Sequence, residues 1–263
     1  GEKNGLHTRV FITGKGLPTY EAKDLGLTEL KNRDYPGAAR SIIITANEQA
    51  EYFKVMLAAL AEINPDVAHK TTHLTHGFVS LSTGKMSSRT GDVYSAVSLL
   101  LDVEGVAKKL FPNASHDTQI GAIKYAFTKH RLGGDIVYDL VESVSLEGNS
   151  GPYLQYAHAR ARSILRKTEG KAGEISDLQP SERSLVRKMT EYSEVVDKAV
   201  SELMPHHICT YLYELAQEFN RFYENNRVIG SDREISRLKL VGNYADTLQK
   251  GLTLLGIHAP DHM

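Results

Sequence analysis

Apolar positions in the first eighty residues follow two rhythms. Residues 8–13 (TRVFIT) and 41–46 (SIIITA) are β-branched and apolar, the pattern of buried parallel strands. Between them, residues 19–31 space their apolar side chains as a helix does. Residues 48–63 predict a second helix with Phe53, Met56, Leu57, Leu60 and Ile63 on one face, stopped by Pro65. Residues 72–81 predict a third strand. The order βαβαβ implies a parallel sheet with right-handed crossovers, a piece of a doubly wound fold. Three strands are fewer than such a sheet normally needs, so the sheet reads as incomplete.

From residue 92 onward the rhythm is helical. Asp92 is placed to cap a helix with Val93, Ala96, Val97, Leu100 and Leu101 inward. Segments 118–131, 152–169, 181–203, 205–227 and 232–255 read as long amphipathic helices. In the last of these, Ser231 and Glu234 form a capping-box pattern. Ile235, Leu238, Val241, Ala245, Leu248, Leu252 and Leu255 make one stripe there, and Gly256 then Pro260 end it. Gly148-Asn149-Ser150-Gly151-Pro152 is the best linker, with Pro152 suited to a first helical turn. The expected organisation is α/β followed by all-α: an α/β part over 1–115, a helical connector over 116–150 and a helical bundle over 151–263.

Composition narrows the function classes. The 263 residues are 41% hydrophobic and 24% charged, an ordinary globular balance. The single cysteine, Cys209, excludes an intramolecular disulfide and a cysteine-based zinc site, so no metal centre is expected and a reducing, cytoplasmic setting is. No apolar run approaches a membrane span, no membrane partner is expected, and the start at Gly1 without Met or signal-peptide pattern suggests processing or truncation. The formal charge of −1 excludes strong non-specific attraction of the whole molecule to nucleic acid but leaves room for a local basic stripe.

The strongest local chemistry is Ser82-Thr83-Gly84-Lys85-Met86-Ser87-Ser88-Arg89-Thr90-Gly91, between a predicted strand and a predicted helix. Glycines and small hydroxyls let a backbone approach a polyanion, and Lys85 and Arg89 put positive charge where phosphate charge would develop. On composition alone, a solvated Ser/Thr/Gly loop is the commoner reading. The GxxxxGK[ST] order of a Walker A loop is missing.

Lys85-Met86-Ser87-Ser88-Arg89 resembles the KMSKS signature of class I aminoacyl-tRNA synthetases, in the KMSSR form of arginyl enzymes. The resemblance is collinear over essentially the whole chain. Gly16-Leu17-Pro18-Thr19-Tyr20-Glu21-Ala22-Lys23-Asp24-Leu25-Gly26 is similar to that family's arginine-pocket segment, and Asn47-Glu48-Gln49-Ala50-Glu51-Tyr52-Phe53-Lys54 to its next motif. Residues 73–79 (HLTHGFV) resemble its adenosine-side strand, and Gly151-Pro152-Tyr153-Leu154-Gln155-Tyr156-Ala157-His158-Ala159-Arg160 the entry to its anticodon-binding bundle. The ending from Leu254 to Met263 resembles the family's own C-terminus.

The resemblance implies the C-terminal half of a doubly wound catalytic domain plus a helical anticodon-binding domain. It implies an arginine–tRNA ligase in which ATP activates arginine and arginine tRNA accepts it, with Mg²⁺ as the expected assistant. A HIGH-type motif is absent from these residues, so the first half of the catalytic fold is expected as a missing partner. The chain alone is then expected to bind tRNA without catalysing. The alternative is a stand-alone, non-catalytic tRNA-binding module derived from a synthetase. A cysteinyl synthetase is discounted, because Cys209 alone cannot build a thiol-selective zinc site.

An arginine site should offer acceptors and a carboxylate, because a guanidinium has donors and no acceptor. Tyr20 and Asp24 lie one helical turn apart and share a face, although such a pair taken alone is more often structural. By resemblance, Asp24 pairs with the guanidinium while Tyr20 and Gln49 complete the pocket. His76, Gly77 and Val79 are implied near the adenosine; Lys85, Met86, Ser87 and Ser88 bind ATP; and Lys85 with Arg89 is catalytic. Ser88 stands where the KMSKS form has lysine, so Arg89 or a lysine elsewhere supplies that charge. His73 and His76, three apart on a strand, face oppositely and cannot chelate together.

On the helix from Pro152, Leu154, Ala157, Ala161, Ile164, Leu165 and Thr168 form the buried stripe. Tyr156, Arg160, Ser163 and Lys167 line a neighbouring face, with His158, Arg162 and Arg166 beside it. Cations beside an aromatic suit RNA phosphates and unstacked bases, although charge alone equally describes a solvated face. The resemblance points Tyr156, His158, Arg160, Arg162, Arg166 and Lys167 to tRNA.

Overall fold

A computed structural model describes residues 5–82, 94–112, 114–168, 173–175 and 177–263. The chain forms two compact units, Gly1–Phe78 with Leu132–Asp135, and Val79–Arg131 with Ile136–Met263. The first unit ends at Phe78, within the α/β part expected over residues 1–115.

The first unit is α/β. It runs α1 (Tyr20–Asp34), β1 (Ser41–Ala46), a 3-10 turn (Asn47–Gln49), α2 (Ala50–Ile63), α3 (Pro65–Lys70) and β2 (Thr71–His76). The strands pair in parallel, Ser41 opposite Thr71 through to Ala46 opposite His76. Phe53, Met56 and Leu60 of α2 are buried with Val67 of α3, and Leu25, Ile43 and Leu57 pack against them. Asn64 separates the two helices, its side chain accepting from Val67 N while Pro65 opens α3. Ile63, expected on the inward face, is 70% exposed at the end of α2.

Two strand expectations fail for identifiable reasons. Residues 8–13 form no strand. An isolated bridge joins Ile12 and Pro18, with Thr13 N donating to Leu17 O at 2.9 Å and Gly16 at φ +74°. Turn chemistry at Gly14-Lys15-Gly16 overrides the β-branched run, leaving Val10 and Ile12 more than half exposed. The run 72–81 breaks after His76, because Gly77 passes so close to Gly134 that a Cβ would lie 2.2 Å from its carbonyl oxygen. Phe78 N then donates to Asp135 Oδ1 at 2.7 Å, outside any ladder. Ile42 and Ile44 of β1 are 44% and 58% exposed, so the strand is covered on one face and not on both as its composition suggests.

The second unit holds β3 (Val79–Leu81), α4 (Ala96–Leu110), α5 (His116–Thr128), β4 (Ile136–Tyr138), α6 (Leu140–Val144), α7 (Gly151–Arg166), α8 (Pro180–Thr190), α9 (Tyr192–Glu202), α10 (His206–Asn225) and α11 (Glu234–Leu254). β3 and β4 pair in parallel, and Leu81, Val103, Ala107, Ala122, Ala126, Tyr138 and Val144 form the core around them. Asp92 and Val93 lie outside the described residues; Ser95 caps α4, accepting from Ser98 N at 3.0 Å. Val97 and Leu101, expected inward, are 64% and 61% exposed, because α4 turns its Val103–Ala107 side to the core.

Ser150 Oγ caps α7 by accepting from Tyr153 N at 3.1 Å. Across the segment before it, α5 packs on α7 within one compact unit. The run 181–203 is two helices, broken at Glu191. At the start of α11, Ser231 makes no cap; its hydroxyl donates to Val228 O, and Glu234 instead accepts from Gly230 N. Ile235 is 57% exposed, while Leu238, Val241, Ala245, Leu248 and Leu252 are buried as the stripe predicts.

A buried ionic network ties α8 to α11. Glu182 is fully buried and accepts from Arg233 at 2.6 Å, from Arg237 at 2.9 Å and from Gln179 N at 2.9 Å. Arg237 also reaches Gln179 Oε1, Asn226 Oδ1 and Arg227 O. Burial works to raise the Glu182 pKa, but hydrogen bonds from Arg233 and Arg237 outweigh it and hold it down to about 2. A carboxyl depressed in the fold contributes stability above its unfolded value near 4.5 and loses it as pH falls towards about 2. Glu182→Ala leaves Arg237 buried without its carboxylate, and should cost about 3–5 kcal/mol at neutral pH. Urea unfolding at pH 7 and pH 3 checks both: the penalty of the variant should shrink at the lower pH, and an equal penalty at both would refute the ionic account.

Candidate functional site

In open parallel sheets, ligands gather beyond the carboxyl ends of the strands. In the first unit those ends are Ala46 and His76. Asn47 follows β1 and anchors its side chain on Gly133 O at 3.0 Å. His73 is fixed by Thr45 Oγ1 at 2.8 Å and stacks on Phe53 at 4.1 Å, and burial lowers its pKa. It is a structural ring. His76 is exposed, its Nδ1 donating to Gly77 O at 2.9 Å. Gly77 is buried and Val79 half-buried.

Tyr20 and Asp24 lie one turn apart at the start of α1, Tyr20 78% exposed and Asp24 half-buried. Gln49, exposed, ends the turn that leads into α2. The partner that spacing missed is Tyr52, whose hydroxyl donates to Asp24 Oδ2. Burial and the Asp24 carboxylate push the Tyr52 hydroxyl well above the usual range, so it remains a donor. The Arg9 guanidinium lies 5.4 Å over the Tyr52 ring and pairs with Glu21 at 3.4 Å. The result is a carboxylate oriented by a hydroxyl, with the exposed Tyr20 one helical turn earlier on α1. Such a set suits a planar cation. Tyr52 lies in the first turn of α2, and a hydroxyl on one helix gives no periodic signal of its target on another.

Lys85, Met86, Ser87, Ser88 and Arg89 lie outside the described residues. The segment enters from Ser82, whose N donates to Tyr138 O at 2.9 Å and whose hydroxyl donates to Asp139 Oδ2 at 2.9 Å. Asp139 Oδ1 caps α6 through Val141 N and Glu142 N. Those bonds, led by Glu142 N, keep its carboxyl below the usual range. Among the described residues, no three His, Cys, Asp or Glu side chains are grouped to hold a metal ion, and no helix is long and apolar enough to cross a membrane.

The α7 face needs correction. His158 is fully buried: Nδ1 donates to Pro260 O at 2.9 Å and Nε2 accepts from Arg162 at 3.2 Å, so the ring is neutral and faces the C-terminal segment, away from any ligand. Arg162 pairs with Asp246 at 2.8 Å and Asp261 at 3.6 Å, and Arg166 donates to Asp261 O at 2.8 Å. Arg162 and Arg166 thus meet acidic and carbonyl acceptors from α11 and the chain end, Arg162 half-buried and Arg166 exposed. Tyr156 is 43% exposed, and Lys167 is exposed. Arg160 lies 4.6 Å over the Tyr223 ring. Tyr153 packs edge-on to Tyr213 at 5.7 Å and accepts from Asn220 Nδ2 at 2.9 Å. The open surface of α7 and α10 is thus aromatic and amide-rich, with Arg160 as its stacked cation.

Residues 154–263 match the DALR anticodon binding domain family. Over 280 residues the chain is 30% identical to the arginine–tRNA ligase of Flavobacterium psychrophilum, covering 99% of this chain and 47% of that protein. It is 33% identical to the arginine–tRNA ligase of Limosilactobacillus reuteri, covering 100% of this chain and 49% of the relative. Among solved structures, the arginyl-tRNA synthetase of Thermus thermophilus superposes with a TM-score of 0.85 at 30% identity, over 97% of this chain and 51% of that one. The chain spans about half the length of the curated relatives it matches.

Burial leads the causes that lower the His158 pKa. A histidine kept neutral in the fold contributes stability above its unfolded value of about 6.5, and that stability is lost as pH falls through the lower folded value. Amide exchange in residues 256–263 should therefore accelerate between about pH 7.5 and pH 5 relative to the α10 core, after correction for intrinsic rates. His158→Ala should exchange fast at both; protection of the tail that ignores both the variant and the pH would remove His158 as its tie.

Proposed function

We propose, from the premise that this chain belongs to the arginyl-tRNA synthetase family, that it supplies the arginine-selecting half of the active site and the tRNA-binding bundle of an arginine–tRNA ligase. The observation that carries the reading is the Asp24–Tyr52 pair at the start of α1, set in a chain similar along 99% of its length to arginine–tRNA ligases. The guanidinium of arginine donates in the plane of the Asp24 carboxylate, which Tyr52 holds in orientation from its other oxygen, with Tyr20 and Gln49 closing the sides.

The arginine carboxylate oxygen then attacks the α-phosphorus of ATP, the bond to the bridging β-phosphate oxygen breaks, and pyrophosphate leaves. A terminal ribose hydroxyl of arginine tRNA next attacks the arginyl carbonyl, losing its proton as AMP departs. Lys85 and Arg89 stabilise charge on the phosphates, with Met86, Ser87 and Ser88 shaping their approach and His76, Gly77 and Val79 beside the adenosine. Mg²⁺ would come with the triphosphate, since among the described residues no three His, Cys, Asp or Glu side chains are grouped to hold it. The remaining wall of the site belongs to the half of the enzyme outside this chain, so the chain alone binds tRNA without activating arginine in the cytoplasm. A stand-alone RNA-binding module shares the α7–α10 surface but gives no use for the Asp24–Tyr52 pair.

In the complete enzyme, Asp24→Asn should weaken arginine selection by roughly 1.5–3 kcal/mol or more in kcat/KM, the scale of a lost charge-assisted bond, and Tyr52→Phe by less. Unaltered arginine kinetics in Asp24→Asn would take the carboxylate out of the pocket. On the tRNA side, Arg160→Ala and Tyr156→Ala in the 263-residue chain should each lower affinity for arginine tRNA, with Arg160→Ala and Lys167→Ala also flattening its salt dependence. Arg162→Ala should act chiefly on stability. Filter binding across salt concentrations separates them, and a salt slope changed by Arg162 but untouched by Arg160 and Lys167 would reverse the assignment.

A further inference from the structure

A hollow lined by cations lies in the α/β unit at the end opposite the proposed arginine site. β1 and β2 begin side by side at Ser41 and Thr71, and a cavity of about 320 Å³ opens beside them. Lys31, Arg40 and Lys70 line it, with Tyr35, Ser41 and Asn32 between them. No Asp or Glu belongs to the lining. Among the described residues none of the three cations makes an ion pair, whereas Arg9, Arg33 and Lys54 of the same unit each hold a carboxylate.

Lys31 and Lys70 sit in the last turns of α1 and α3, where a cation offsets the partial negative charge of the helix end. That accounts for two of the charges. It does not account for Arg40, which belongs to neither helix, nor for a concavity shared by all three. Like charges gathered around a low-dielectric hollow repel one another and focus positive potential into it, a cost that an anion reverses. Lys31 and Lys70 are half-buried and Arg40 is exposed.

We propose that this hollow is a phosphate-binding site. Lys31, Arg40 and Lys70 supply charge-assisted donors, and the Ser41 hydroxyl and Asn32 amide supply neutral ones. The Tyr35 ring, 70% exposed at the rim, offers a face to whatever carries the phosphate. The cavity has room for a pyrophosphate or a nucleotide-sized group, at the small end of ligand pockets. The phosphate comes either from a free compound or from an RNA backbone. The site stands apart from the arginine-activation reading, since no residue of that reading lines it.

The test is calorimetric titration of inorganic pyrophosphate into the 263-residue chain carrying Lys85→Ala, which removes the phosphate contact proposed for the other site. Saturable binding is expected, weakened roughly tenfold or more when Lys31→Ala, Arg40→Ala and Lys70→Ala are added together. Lys70→Gln alone should give part of that loss, and serves if the triple variant does not fold. Arginine tRNA titrated against the same proteins separates the sources. Weakened tRNA binding with little pyrophosphate binding assigns an RNA phosphate; lost pyrophosphate binding with tRNA unchanged assigns a free phosphate compound. If neither titrant distinguishes the variants from their Lys85→Ala parent, the proposal is overturned. Because Lys85 is already replaced, failure of the arginine-activation reading leaves each outcome legible.

Discussion

Gly121 and Gly151 bring the backbones of α5 and α7 to a separation no side chain could share. A Cβ on Gly151 would sit 2.3 Å from Gly121 O, and one on Gly121 would sit 2.7 Å from Gln155 Oε1. Because the helices approach this closely, Gln155 is buried and its amide reaches both Asp117 O at 3.2 Å and His258 O at 2.8 Å. One turn on, His158 binds Pro260 O, and the next turns bring Arg162 and Arg166 to Asp261. A single row of α7 thereby closes the chain's last residues onto the bundle. A second row (Leu154, Ala157, Ala161 and Ile164) fills the core. Tyr153 and Arg160 are left for the surface shared with α10. The glycine contact decides which row does which, and hence which part of α7 is open to a ligand.

That partition explains what the sequence could and could not reveal. Stripes recruited by one core were legible: Phe53, Met56 and Leu60 on α2, and Leu238 through Leu252 on α11, repeat at helical spacing because a single partner surface selects them. Residues 8–13 misled because three residues of turn chemistry outweigh a β-branched run that, among the described residues, makes only the isolated Ile12–Pro18 bridge. The 72–81 run misled differently. Its apolar pattern is continuous, but the close pass of Gly77 against Gly134 ends β2, and β3 resumes in another unit against a three-residue strand too short to leave a periodic trace. Tyr52 and Asp24 show the same limit at the candidate site. Each residue sat in a segment already marked by resemblance, while their hydrogen bond depends on how α1 meets α2, which no spacing within either helix encodes.

Charge was the least legible property, and the reason is physical. The chain has 31 Lys and Arg against 32 Asp and Glu, so attraction for a polyanion must come from local excess, since the molecule as a whole has none. On α7, counting cations along the helix overstates that excess, since Arg162 and Arg166 meet acceptors donated by α11 and the C-terminal segment, and His158 is neutral. Glu182 makes the same point with the sign reversed: an acidic residue in the first turn of α8 is enclosed by Arg233 and Arg237. A cation already bonded to a carboxylate contributes little field beyond a few ångströms, because the pair is a dipole, whereas one left without a partner acts at full strength until salt screens it. Among the described residues, local positive potential therefore comes from cations the fold leaves without a carboxylate. Lys31, Arg40 and Lys70 converge on one hollow, and the stacked Arg160 stands over Tyr223. Both are products of tertiary packing, so recognition of an anion here rests on which charges the fold declines to neutralise.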